Sequence, residues 1–308
     1  SIANMSSSSQ VINQPIDAFY NVKKCVGDGT SASVYIAKDT KTGEVVAIKH
    51  FSEDILNSPY TFHRERSAMN LVSHRNVAKC IASFADWKGA PAIVLPYAQN
   101  GDLLDFMIKH GPPSEKMCRT ILCKIFHAIK ACHDSGVIHR DIKPENILLD
   151  AKYQPIVCDF GYAGIPLSSS LSSPNKCSNC SMTTKCGSKS YMAPEIINGN
   201  YQTLAIDIWS LGVLAFILYC GFPPYAKPSK NDYWYRKISR GDWTSFWRAH
   251  EAHAEFTSDF KDMIEGMLCI NSKKRATLKE LLESQWMAKE VLSSEDLEKN
   301  FHDHIKAN

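Results

Sequence analysis

No stretch of these 308 residues is long and apolar enough to serve as a membrane span. The most apolar run, Leu204 to Cys220, falls short of the ~20 residues a spanning helix needs and carries Asp207 inside it. Charge of one sign is scarce as well. Lys and Arg number 35 against 32 Asp and Glu, a net +3, which is too little to announce a nucleic-acid or membrane-surface binder. There is no EF-hand loop pattern and no internal repeat. The 11 cysteines are odd in number and scattered, and Cys118, Cys123 and Cys132 fall inside apolar stretches, where they read as small buried hydrophobes. That usage points to a reducing compartment, cytoplasmic with the nucleus left open, and away from a disulfide scaffold.

What is present is the composition of an ordered globular chain, 44% hydrophobic and 22% charged. Its length exceeds what one core usually holds, so two lobes are expected in an α+β fold. Residues 1–18 open polar and serine-rich and are expected to be loose. Over 19–95 the apolar residues recur with strand period: Val34 and Ile36 alternate with Tyr35 and Ala37, and Val46 and Ile48 with Ala47 and Lys49. This predicts a small, mainly β lobe. Within it Phe62, Glu65, Met69 and Val72 share one face of a helix, and a carboxylate in an apolar stripe needs a cation. A connector at 96–101 leads into 102–287, where the period becomes helical around Leu103–Lys109, Ser114–Ser135, Ala205–Cys220, Ser258–Leu268 and Leu278–Met287. In the tail, 288–308, Leu297, Phe301 and Ile305 share a helical face behind a Ser293 cap.

Gly27-Asp28-Gly29 between two strand-like runs can bring backbone N–H groups close to phosphate oxygens, although Ala32 stands where a third glycine would complete such a loop. Lys49 ends Val46-Ala47-Ile48-Lys49, and an inward lysine and the inward Glu65 satisfy one another. Further on come His139-Arg140-Asp141-Ile142-Lys143-Pro144-Glu145-Asn146 and Ile156-Val157-Cys158-Asp159-Phe160-Gly161. In this order the motifs resemble those of the protein kinase family, over roughly Phe19 to Met287.

The resemblance implies a two-lobed kinase fold and transfer of the γ-phosphoryl group of ATP, held with Mg²⁺, to protein hydroxyls. Residue by residue, it implies that Asp141 orients or accepts the substrate proton and that Lys143 contacts the γ-phosphate. It gives Asn146 and Asp159 to magnesium and Lys49, held by Glu65, to the α- and β-phosphates, under Gly27 and Gly29. Val34, Ala47, Leu95 and Leu148 would line the adenine pocket, with backbone contacts from Pro96 and Ala98 and a ribose contact from Asp102. Met69, His139 and Phe160 match an apolar stack, and Glu195 with Arg275 a buried ion pair.

Lys143 and Ser188 match serine/threonine rather than tyrosine kinases, and Phe216–Tyr225 and Arg275–Trp286 look most like the calcium/calmodulin-dependent protein kinase group. That likeness implies protein substrates with a basic residue before the target, met by Glu145 and Asp102. Ile217 stands where strongly basic-directed relatives carry an acid, which argues against a second basic preference. Thr184 matches a phosphorylated position, with Arg140 as its phosphate partner. The acidic tail does not support calmodulin or calcium control within these residues. Cys177, Cys180 and Cys186 have metal-ligand spacing without a fourth local ligand. The alternative reading is a pseudokinase scaffold, which would typically lack one of Lys49, Glu65, Asp141, Asn146 and Asp159.

Overall fold

Alternating strands near the N-terminus form one antiparallel sheet: β1 (Tyr20–Asp28), β2 (Ala32–Asp39), β3 (Val45–Phe51), then, after helix α1 (Ser58–Leu71), β4 (Ala82–Trp87) and β5 (Ala90–Pro96). Their spatial order is β1-β2-β3-β5-β4. The computed structural model describes residues 11–28, 32–51, 58–165, 189–197 and 203–308. Gly29, Thr184, Ser188, Cys177, Cys180 and Cys186 lie outside these residues.

Strand period divides the sheet into two faces. Ala37, Val46, Ile48, Ala92 and Val94 close on Ile16, Tyr20, Phe84 and Trp87 in a core of their own. On the opposite face, Lys49 lies across from Val34 and Ala47 across from Leu95. The β3 pattern therefore sends Ala47 and Lys49 to the face that carries the candidate site. The expected stripe on α1 is also buried: Phe62, Glu65, Met69 and Val72 all lie inside.

The expectation of a loose segment through residue 18 does not hold for residues 11–18. Ile12 forms a parallel bridge with Phe84, its N–H donating to the Ser83 carbonyl at 2.8 Å, and Ile16 is fully buried. The segment caps β4, which would otherwise be an open sheet edge. Composition gave no sign of this, because the contact joins elements about 70 residues apart in sequence.

The large lobe begins with α2 (Leu103–His110) and α3 (Glu115–Asp134), followed by the hairpin β6 (Ile147–Leu149) and β7 (Pro155–Val157). Then come α4 (Pro194–Ile197), α5 (Ala205–Cys220), α6 (Tyr233–Ser239), α7 (Trp243–His250), α8 (Ser258–Met267), α9 (Leu278–Leu282) and α10 (Ser294–Ala307). The central helix is α5, buried from Ile206 through Leu218. A Cβ on its Gly212 would come within 2.9 Å of Met267 and Leu268, so glycine is what lets α8 pack this closely.

Side chains of Asp102, Ser114, Asp232, Asp242, Thr277 and Ser293 accept from backbone N–H groups in the first turns of their helices. Such a cap typically contributes about 1 kcal/mol. The short helices α6 and α7 were not expected from periodicity; in the structure Asp232 and Asp242 cap their starts. The helix expected to reach Met287 stops at Leu282. Beyond it the chain turns to set Trp286 in the core, its indole N–H donating to Glu115 at 2.9 Å and its ring 5.2 Å from Phe260.

Candidate active site

The loop from α3 to β6 is anchored by one buried carboxylate. Asp207, fully buried on α5, accepts from the backbone N–H of His139 at 2.9 Å, from that of Arg140 at 2.8 Å, and from His133 at 2.8 Å. Burial alone would raise its pKa, but the His133 hydrogen bond and neighbouring charge outweigh it and hold the carboxyl below its ordinary value. Arg140 adopts φ +69°, sparsely populated for a residue with a side chain, and Asp207 clamps that backbone from within. His133 was not singled out from the sequence. The available signal was Asp207 itself, a charge inside an apolar helix that had to find donors.

The loop brings three of the expected residues together. Lys143 Nζ and Asn146 Nδ2 both donate to Asp141 Oδ2, at 2.8 and 2.9 Å. Asn146 Nδ2 also donates to the Asp141 carbonyl at 2.7 Å. These bonds fix the Asp141 carboxylate, while its Oδ1 takes no hydrogen bond from the described residues. Close by, the Cys158 N–H donates to the Asn146 carbonyl at 2.9 Å, which ties Asp159 to the same loop.

Across the cleft, Lys49 Nζ lies 2.8 Å from both carboxylate oxygens of Glu65 and 2.9 Å from Asp159 Oδ1. Residues from β3, α1 and the start of the Phe160 turn thus share one cation. Burial alone would depress the Lys49 ammonium, but the Asp159 and Glu65 carboxylates outweigh it and hold it raised. Burial pushes Asp159 up too, yet Lys49 prevails and the carboxyl sits at about 2. For Glu65 burial is the larger effect and lifts the carboxyl to about 7 against the pull of Lys49. Behind this group, Phe160 and His139 pack ring to ring at 4.8 Å, beside buried Met69.

The remaining expected residues fall around this center. Val34, Ala47 and Leu95 share the sheet face that carries Lys49. Leu148 is bridged to Asp102, and Asn100 and Gly101 exchange backbone bonds with Leu149, so the connector lies beside β6. Pro96 ends β5 and pairs with Val46, and the Ala98 carbonyl accepts from Gly101. Gly27 pairs with Val34 in the β1–β2 ladder, where an added Cβ would come no nearer than 3.9 Å, so its own position does not demand glycine. Glu145 is partly buried, and its Oε2 has no hydrogen-bond partner among the described residues.

A model of the protein kinase domain family matches residues 20–287. The chain belongs to the protein kinase family. CBL-interacting protein kinase 11 of Oryza sativa subsp. japonica is 34% identical over 276 residues, which is 88% of this chain and 52% of that protein. The SNF-related serine/threonine-protein kinase of Homo sapiens is 33% identical over 277 residues, 88% of this chain and 34% of that protein. The probable serine/threonine-protein kinase MARK-A of Dictyostelium discoideum is 32% identical over 274 residues, 87% of this chain and 24% of that protein. The chain therefore spans about half or less of the length of these curated relatives. Among the described residues no helix is long and apolar enough to cross a membrane.

The charge arrangement of this kinase domain predicts an acid limb. Glu65 can hold Lys49 only as the carboxylate, and with its pKa lifted to about 7 it is protonated progressively as pH falls through that value. The quotient kcat/KM for ATP reports the free enzyme and is expected to drop on the acid side with a midpoint near 7. In Glu65→Gln the profile should be low and flat over the same range. A wild-type profile without this limb would contradict the assignment.

Proposed function

We propose that this kinase domain transfers the γ-phosphoryl group of Mg-ATP to serine and threonine hydroxyls of other proteins. The observation that supports it best is the single ammonium of Lys49 held between Glu65 and Asp159 at hydrogen-bond distance. Such a cation, fixed in place before substrate arrives, suits the α- and β-phosphates of a nucleotide and costs little reorganization when they bind. A non-catalytic scaffold would typically lack at least one of Lys49, Glu65, Asp141, Asn146 and Asp159, and all five are present, with Lys49 bonded to Glu65 and Asp159 and Asn146 bonded to Asp141.

Asp159 and Asn146 form a donor set suited to magnesium. The Asp159 side chain is 37% exposed and its second oxygen is not taken by Lys49, and the Asn146 amide nitrogen is committed to Asp141, which leaves its oxygen free of that bond. Both are hard oxygen donors, and magnesium bound with phosphates needs only one or two from the protein. Magnesium held by these two residues would neutralize charge on the phosphoryl oxygens. Asp141, oriented by Lys143 and Asn146, receives the substrate hydroxyl through Oδ1 and draws off its proton, while Lys143 stays close enough to meet the γ-phosphate.

Glu145, with one buried oxygen unpaired among the described residues, would receive a basic side chain preceding the target hydroxyl. Asp102, at the start of α2, is assigned to the ribose. Control through Thr184 rests on its count back from Glu195 and on Arg140 beside Asp141: phosphate on Thr184 would pair with that guanidinium. Thr184→Ala, compared with wild type after phosphatase treatment of both, should leave a variant that cannot be reactivated by phosphorylation. Equal reactivation would remove this regulatory reading. Transfer to an arrayed peptide library tests the activity as a whole. Labelling is expected on serine and threonine peptides with a basic residue before the target, and labelling confined to tyrosine peptides would overturn the reading.

A further inference from the structure

The tail helix α10 packs where the floor of the nucleotide cleft is built. Leu297 and Phe301 are fully buried. Phe301 stacks on Tyr153 at 4.7 Å with an interplanar angle of 17°, and meets Phe106 edge-on at 4.8 Å. His304 adds a second ring on Phe106 at 5.7 Å. Lys124 donates to the Ser294 hydroxyl at 3.2 Å, and the Gln154 amide donates to the Ser294 carbonyl, also at 3.2 Å.

Phe106 belongs to α2, whose N-cap is Asp102. Tyr153 and Gln154 lie in the connection between β6 and β7, just after the turn, and β6 carries Leu148. A single ring, Phe301, thus joins the two elements that present Asp102 and Leu148, and those two residues are themselves bridged. Tyr153 holds φ +54°, so its backbone is kept in a left-handed conformation with its ring flat against α10.

We infer that α10 is a brace for nucleotide binding, with Phe301 a positioning residue that sets Asp102 against the ribose. This rests on the reading of Asp102 as the ribose contact given above. The helix lies against α2, α3 and the β6–β7 turn, and among the described residues it makes no ring contact or hydrogen bond with Lys49, Asp141 or Asp159. Its effect therefore falls on ATP affinity and ribose recognition, with the phosphoryl-transfer step left unchanged.

The test compares the full chain with Phe301→Ala, measuring Mg-ATP and Mg-2′,3′-dideoxy-ATP binding by calorimetry and kcat on a basic serine peptide. Wild type is expected to prefer ATP by about 10-fold through the charged ribose contact. In Phe301→Ala the ATP dissociation constant should rise ~5-fold, the preference should shrink to ~2-fold, and kcat should stay within ~2-fold. On an Asp102→Ala background the same change should remove no further preference, because the contact is already gone. If Phe301→Ala does not fold, Phe301→Leu keeps an apolar side chain that fills most of the space and loses the stacked ring, and should show the same shift at smaller size. Unchanged affinity and preference overturn the brace, as does tighter binding or a raised kcat, which would make the helix an inhibitor. A wild type without ribose preference overturns the Asp102 assignment and the inference with it. Because binding is read directly, a chain that binds nucleotide but transfers nothing would sink the proposed activity and still test the brace.

Discussion

Replacing Asp159 by asparagine is expected to cut phosphoryl transfer on the order of 10³-fold while leaving the fold in place. The substitution keeps the size of the side chain and removes a charge that both faces the cleft opening and touches Lys49. Lys49 retains Glu65, so no ammonium is left buried alone. Because the Asp159 side chain is partly exposed, loss of its ion pair should cost about 1 kcal/mol or less. Steady-state kinetics beside a thermal melt separate the two effects. A variant that keeps more than about a tenth of the wild-type rate would show that the carboxylate does not carry the metal.

The largest effect on stability is expected far from the cleft. Arg275, whose side chain is fully buried, forms a two-pronged pair with Glu195 at 2.6 and 2.9 Å and also donates to the carbonyls of Ala205 and Cys269. One guanidinium thereby ties α4 and the start of α5 to the segment before α9. Glu195→Ala leaves that guanidinium charged and short of a partner, which costs about 3–5 kcal/mol. For a domain of this size the melting temperature should fall by roughly 6–20 °C. The double variant Glu195→Met with Arg275→Met should recover part of the loss, because a buried pair is often replaceable when both charges leave together. A single variant that melts within about 2 °C of wild type would contradict this account.

The two cases mark what the sequence made legible. Lys49 and Glu65 could be read because a buried charge needs a partner, whereas Asp141, Asn146 and Asp159 were legible only through the order of motifs they share with the kinase family. Periodicity carried the sheet faces and the buried stripe of α1, and it set Leu297 and Phe301 on one face of the tail helix. It did not reveal what those faces meet. Phe301 finds Phe106 and Tyr153, about 195 and 150 residues earlier, and Ile12 finds Phe84 across the sheet edge. Such pairings depend on how lobes close, and short-range pattern does not encode them. The same holds for His133, an ordinary helix residue until α5 sets Asp207 beside it. The break of α9 at Leu282 follows from the need to seat Trp286 among Glu115, Tyr219 and Phe260, again a contact between distant segments.

The account depends on Asp141 standing ready with its proton-accepting oxygen toward an incoming hydroxyl. The most direct measurement is incorporation of labelled γ-phosphate from Mg-ATP into a basic peptide with one serine, run with wild type and with Asp141→Asn, and repeated with tyrosine in place of the serine. Wild type is expected to label the serine peptide, Asp141→Asn to lose about 10²- to 10⁴-fold, and the tyrosine peptide to stay unlabelled. Equal labelling by both proteins, or none by wild type, would contradict it.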